Sequence, residues 1–157
     1  MKINLIVIGK TGKKFLEEGE QEYLNRLKHY TPFAVTVIPD IKNAKNKTQN
    51  QLKEEEGKLI LDKIEAGGII VLLDENGKQY GSVEFANWIQ DRMNRGIKHI
   101  TFVVGGPYGF SDEVYNKANE KLSLSRMTFS HQMIRMLFLE QLYRGFTILK
   151  NEPYHHE

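Results

Sequence analysis

Short apolar runs of strand length alternate with helical stripes along almost the whole chain, and no other feature limits the fold as much. Ile3–Ile8 is one such run, broken only by Asn4, and Ile69–Leu73 and Ile100–Val104 are two more. Runs of this kind belong to parallel strands covered on both faces. Phe33, Val35 and Val37 alternate instead, and Pro39 closes that strand. Between the strands, apolar residues recur at helical spacing. Residues 13–29 carry Leu16, Tyr23, Leu24 and Leu27; a helix from about Gln49 to Glu65 buries Leu52, Leu59, Ile60 and Ile64. Ser82 is placed to cap a third helix with Phe85, Ile89 and Met93 inward. Strands alternating with helices build βαβ units, so the expected fold is α/β, a mostly parallel sheet with helices on both faces. Residues 41–50, rich in Lys and Asn, read as a mobile loop, and Glu75-Asn76-Gly77 as a turn. With no repeat and no break in composition, the expectation is one domain over 1–157.

Composition excludes more than it identifies. The chain has no cysteine, which removes disulfides and thiolate metal sites, and no pair of histidines at helical spacing with an acid, so no metal is expected. The apolar stretch before Gly9 is too short for a signal peptide or a membrane span, which predicts a cytoplasmic protein with no membrane partner. Net charge is +2, and the excess lies early: residues 1–63 hold twelve Lys/Arg against nine Asp/Glu, whereas 101–157 hold six of each. Charge of that size names no partner.

The chemistry concentrates between Val103 and Tyr154. Gly9-Lys10-Thr11-Gly12-Lys13 follows a strand but lacks phosphate-loop spacing, so it reads as a strand-to-helix turn. Gly105-Gly106-Pro107-Tyr108-Gly109 also follows a buried strand; it fits either a close approach to a ligand or a tight turn. Ser123, Ser125, Arg126, Thr128 and Ser130 crowd the segment before the last helix, which they either cap or use to meet a polar ligand. That helix, roughly 130–149, is apolar over most of its circumference, and a helix of this kind is buried on both sides. One side faces the sheet; the other is expected to face a second copy, giving a homodimer. Arg135 and Arg144, nine positions apart, are expected in nearly the same sector, either paired with Glu140 or reaching an anion. His131, Tyr154, His155 and His156 are the dense set of proton-handling groups.

Gly105-Gly106-Pro107-Tyr108-Gly109, then the run 122–136 (L-S-L-S-R-M-T-F-S-H-Q-M-I-R-M), 140–146 (E-Q-L-Y-R-G-F) and Glu152-Pro153-Tyr154-His155, closely resemble a methyltransferase family. It is the H-type large-subunit ribosomal RNA pseudouridine N3-methyltransferases of the SPOUT superfamily, and the resemblance spans the chain. It implies an α/β knot, a C-terminal trefoil that periodicity does not suggest. The resemblance implies S-adenosylmethionine as cofactor, held at Leu73, Gly105 and Leu124, Ser125, Arg126, Met127, Thr128 and Phe129. It further implies a homodimer acting on N3 of a pseudouridine in 23S rRNA. The target is expected in a loop, since stacked A-form RNA hides its base edges, and the near-neutral charge points to the assembled ribosome as docking surface. As candidate catalytic groups, His155 or Tyr154 is expected to handle the N3 proton and Arg144 or Arg135 to stabilise the charge. Two other readings are a SPOUT enzyme acting on transfer RNA and a non-catalytic ribosome assembly factor. The chain departs from the family pattern at Ser130 (usually proline), Gly145 (usually alanine) and His156 (usually Lys or Arg).

Overall fold

The structure, a computed structural model, describes residues 1–156; Glu157, the last residue of the expected domain, lies outside them. Among the described residues five strands form one sheet: β1 (Lys2–Ile8), β2 (Phe33–Ile38), β3 (Ile69–Gln79), β4 (His99–Val104) and β5 (Glu120–Ser123). Every pairing is parallel, in the order β2-β1-β4-β3-β5. Five α-helices connect or follow them: α1 (Lys14–Leu27), α2 (Gln49–Asp62), α3 (Ser82–Asn94), α4 (Asp112–Lys117) and α5 (Met133–Leu149).

The period of two along each strand divides the core. Ile3, Leu5, Val7, Phe102 and Val104 face one side, where they meet Leu27 of α1, Phe85 and Ile89 of α3, and Phe138, Leu139 and Leu142 of α5. Ile6, Ile8, Leu72 and Val103 face the other side, against Ile60 of α2 and Val114 of α4. The α/β expectation therefore holds, with helices on both faces. Phe102 anchors the larger side, its ring 4.7 Å from Phe138 and 5.9 Å from Trp88. At about 25 cal/mol per Å2 of apolar surface, such rings supply much of the driving force for this layer.

Three local expectations are corrected, and the loop at 41–50 gains detail. Glu75-Asn76-Gly77 does leave the strand line, but the chain rejoins it: both Leu73 and Lys78 pair with Leu122, so 74–77 is a bulge inside β3. Gly77 is required there, because a methyl group on it would stand 2.6 Å from the Lys121 backbone. Gly81, not Ser82, is the N-cap of α3; the Glu84 carboxylate accepts from the Gly81 N–H at 2.9 Å, while the Ser82 hydroxyl turns to Gln141 at 2.8 Å. Leu59 is exposed, and Glu56 takes a buried place on α2 instead. Residues 41–50 contain a short 3-10 turn at Ala44–Asn46, and Lys47 is paired with Glu55 at 2.7 Å.

The argument from α5 also changes. This helix lies on the sheet between α1 and α3, so its own chain covers three of its sides. Met136 packs at Gly19 of α1 and Gly145 faces Ile89 of α3. An apolar circumference is thus largely accounted for without a partner. The outward stripe Met133, Leu137, Glu140 and Arg144 is half-buried. Among the described residues no helix is long and apolar enough to cross a membrane.

Candidate active site

Because β4, β3 and β5 are neighbours, their exits lie side by side at the carboxyl edge of the sheet, where open parallel sheets bind ligands. The three exits enclose a cleft of about 390 Å3, within the size range of small-molecule sites.

Each exit is held by its own sequence. The first is the bulge after Leu73, where Asp74 accepts from the Asn76 N–H at 2.9 Å. The second is the glycine loop after Val104. A methyl group at Gly105 would stand 3.0 Å from the Phe110 ring, and one at Gly106 would stand 2.7 Å from the Glu56 carboxylate. Gly109 sits at φ 86°, a conformation that favours glycine, and Ser111 then caps α4 by accepting from the Val114 N–H. The third exit, 123–129, is pinned by side chains. Ser123 donates to the Ser125 carbonyl at 2.8 Å, the Met127 N–H donates to the Ser125 hydroxyl at 3.0 Å, and Thr128 donates to Glu75 at 2.5 Å. The last of these bonds ties the third exit to the first.

Leu73, Gly105, Leu124, Ser125, Met127, Thr128 and Phe129 all line this cleft. Arg126 does not; it is exposed and faces a shallow depression beside Glu75 and Gln79. Met127 is 76% exposed at the mouth, where it offers apolar surface to whatever enters the cleft. Asp74 and Tyr115, which escaped the sequence reading, also line it, as does His131, one of the proton-handling groups read from sequence. Tyr115 donates to Asp74 at 2.5 Å, and burial together with that carboxylate raises its pKa, keeping it a phenol. His131 is pushed down, first by burial and then by Arg135, which favours the neutral ring. Asp74 had a visible signal as the first charge after an apolar strand. Tyr115 reaches it from α4, a contact with no trace in local sequence.

The two arginines are not neighbours. Nine residues is two and a half helical turns, which places them on opposite sides of α5 and overturns the shared sector expected for them. Arg135 is 1% exposed and points into the molecule. Its guanidinium donates to the carbonyls of Ile8 at 2.6 Å, Gly9 at 2.9 Å and His131 at 3.1 Å, fastening the start of α5 to the end of β1. Gln132 completes the joint by accepting from the Gly12 N–H and donating to the Lys10 carbonyl. The Gly9–Lys13 loop is therefore occupied by the protein's own side chains.

Arg144 faces outward into a side-chain cluster. It donates to Glu140 from Nε at 3.1 Å and from Nη2 at 2.5 Å, and stands 3.1 Å from Nδ1 of His155. Tyr154 donates to the same Glu140 oxygen at 3.0 Å, and Arg144 lies over its ring at 4.7 Å. The tail reaches this place because Asn151, at φ 55°, reverses the chain after α5, and the Glu152 N–H then bonds the Thr147 carbonyl. Arginine has no acceptor, so Nδ1 of His155 is the acceptor in this contact. Burial, aided by bonding to Tyr23 and Glu140, raises the pKa of Tyr154, which stays a donor. Glu140, read from sequence as a neutraliser of one arginine, is the hub for Arg144 alone.

A family model described as Predicted SPOUT methyltransferase matches residues 1–155. Among curated proteins, one from Christiangramia forsetii is 58% identical over 156 residues, covering 99% of each chain. One from Parabacteroides distasonis is 58% identical over 157 residues and one from Bacteroides fragilis 50%, both covering all of each chain. All three are described as ribosomal RNA large subunit methyltransferase H.

Proposed function

This chain belongs to the SPOUT methyltransferase family, and on that premise we propose that it methylates N3 of a pseudouridine in a loop of 23S rRNA on the assembled ribosome. The observation that carries this reading is the cleft at the exits of β3, β4 and β5, with an anchored Tyr154-His155 tail on the same chain.

The donor set fits S-adenosylmethionine. Leu73, Leu122, Leu124 and Ile134 supply apolar walls for a flat purine, the glycine loop lets backbone approach closely, and Ser125 and Thr128 add polar edges. Leu73, Gly105 and Leu124–Phe129 would hold the cofactor, with Arg126 at the rim. Bound there, it supplies a methyl group activated by a sulfonium. The protein must fix the acceptor base against it and stabilise the anion left when N3 loses its proton. Arg144 and Tyr154, both donors, suit that second task, and His155 sits against the Arg144 guanidinium through Nδ1. Arg135 is a positioning residue that holds the start of α5 in place.

Several features support RNA as partner. Lys10, Lys13 and Lys14 leave the end of β1, and Lys42 and Lys45 follow β2, so exposed cations lie along the same sheet edge as the cleft. Such residues suit phosphate contacts. A loop target exposes its base edge, unlike stacked A-form RNA. We further propose a single cytoplasmic domain with a C-terminal trefoil, acting as a homodimer. The half-buried stripe on α5 and the exposed Met127 and Phe129 are the surfaces that favour a second copy.

Mass spectrometry of 23S rRNA from a strain lacking the chain tests the proposal. One pseudouridine is expected to lose one methyl group; an unchanged modification pattern would overturn the assignment. Calorimetry with S-adenosylmethionine tests the cofactor separately.

A further inference from the structure

The tail that carries Tyr154 and His155 is fastened at its root as well as at the Glu140-Arg144 cluster. There the Tyr30 hydroxyl donates to the Glu152 carboxylate at 2.6 Å, across 122 residues of chain. Tyr30 is a firm anchor. It stands in the turn between α1 and β2, where its own N–H bonds the Leu27 carbonyl at 3.0 Å. The adjacent Thr31 hydroxyl donates to the Met1 carbonyl at 2.5 Å. The Tyr30 ring stacks on Phe146 at 5.8 Å and meets Tyr143 edge-on at 5.9 Å, both on α5. Tyr143 in turn meets Tyr154 edge-on at 4.7 Å. Ring contacts therefore run from the anchor to the tail tyrosine, alongside the hydrogen bond.

We propose that Tyr30 is a positioning residue for methyl transfer, latching Glu152 so that Tyr154 and His155 stand at Arg144; the inference rests on the methyltransferase reading above. Glu152 is the pivot of the tail. Its N–H bonds the Thr147 carbonyl at 2.9 Å just after the reversal at Asn151, and its carboxylate accepts from Tyr30. With backbone and side chain both held, the residue keeps little rotational freedom. Pro153 follows, and its ring fixes its own φ and restricts the residue before it. The direction in which the chain leaves Glu152 is thus passed on to Tyr154 and His155 with little slack. The bond is also dispensable for packing. Glu152 is exposed, and the Tyr30 ring already ties the end of α1 to α5 through Phe146 and Tyr143. The hydroxyl is directed instead at the tail. Groups that face a reacting centre must be held closely, because a misplacement of about 1 Å can cost about 100-fold in rate.

The test uses the full chain, S-adenosylmethionine and ribosomes from a strain lacking it. Tyr30→Phe removes only the hydroxyl and keeps the ring in its packing. The expected result is a kcat for methyl transfer reduced about three- to tenfold, with KM for ribosomes, cofactor affinity by calorimetry and thermal midpoint close to wild type. Amide hydrogen exchange at Asn151 and Glu152, both bonded to α5 carbonyls, is expected to quicken about fivefold, as for one lost hydrogen bond. Exchange within α1 and α5 should not change. Glu152→Ala should give the same losses, and Glu152→Gln, which keeps an acceptor, should stay within about twofold of wild type. Tyr30→Phe combined with Glu152→Ala should be no worse than either change alone. Full turnover or unchanged tail exchange in Tyr30→Phe would overturn the proposal, as would losses that add in the double variant. So would faster exchange spread over α1 and α5 with a lower thermal midpoint, which would make the hydroxyl a structural tie only. Weaker cofactor binding in step with turnover would also overturn it, by placing the effect in the cleft. Failure of the wild-type protein to methylate the ribosomes would instead overturn the underlying reading; the exchange measurement needs no substrate and still tests the latch.

Discussion

Arg135 and Arg144 sit on one helix, yet they illustrate two uses of the same side chain. Arg135 is sealed in the core and spends its donors on backbone carbonyls that would otherwise be orphaned. Arg144 is 24% exposed and bonded to side chains that can exchange partners when a substrate arrives. A guanidinium held by fixed carbonyls is part of the scaffold; one held by a carboxylate and a histidine can be redirected toward an anion. Partner type, more than burial alone, separates structure from chemistry here.

The sharpest way to break this contrast is to remove each arginine. Arg135→Met is expected to cost about 3–5 kcal/mol in urea unfolding, because it strands several buried carbonyls. Arg144→Met should cost under about 1 kcal/mol, as expected for a partly exposed ion pair, while turnover drops at least about 100-fold with cofactor affinity retained. Equal stability losses in the two variants would erase the distinction.

Charge around the Arg135 end gives the next largest effect. Glu56 is buried beneath Gly106, and burial, then the nearby Asp40, raises its pKa from 4.5 to about 6. Folded protein therefore binds the proton more tightly than unfolded chain, and this group's stabilisation, present at low pH, is lost as pH rises through about 6. Glu56→Gln mimics the protonated form. It should gain about 1–2 kcal/mol at pH 8 and nothing at pH 4, read as thermal midpoints at the two pH values. A gain that persists at pH 4 would point to packing instead of charge.

On the Arg144 side, Tyr154→Phe removes one donor from Glu140 and should reduce turnover about three- to tenfold, with circular dichroism unchanged. The smallest effect is next door. Gly145→Ala removes a helix-interior glycine that costs about 1 kcal/mol, against contact with the mobile end of Ile89 at 3.0 Å. A net gain of about 0.5 kcal/mol is expected in denaturant; a loss would mean that Ile89 cannot yield.

Much of this was legible beforehand. β1, β3 and β4 announce themselves as apolar runs because both faces are covered, and the run 122–136 carries most of the cleft wall in consecutive residues. What sequence hid was tertiary. Glu56 lies some fifty residues before the glycine it supports, and Tyr115 reaches Asp74 from another element. A turn signal at 75–77 reports backbone freedom, not whether the chain will return to its strand. The misplaced arginine pair had a simpler cause: nine residues lie near a whole number of turns only if the half turn is neglected.

The bulge in β3 has a consequence for how such a site can change. Leu73 and Lys78 share a single partner, so residues 74–77 project over the cleft while the ladder closes behind them. With Gly77 held by the Lys121 backbone, the identities of residues 74–76 can vary without shifting the strand by one position against β4. Ligand preference can therefore drift at this rim independently of the sheet, giving the protein a place to explore new specificity while its framework stays put.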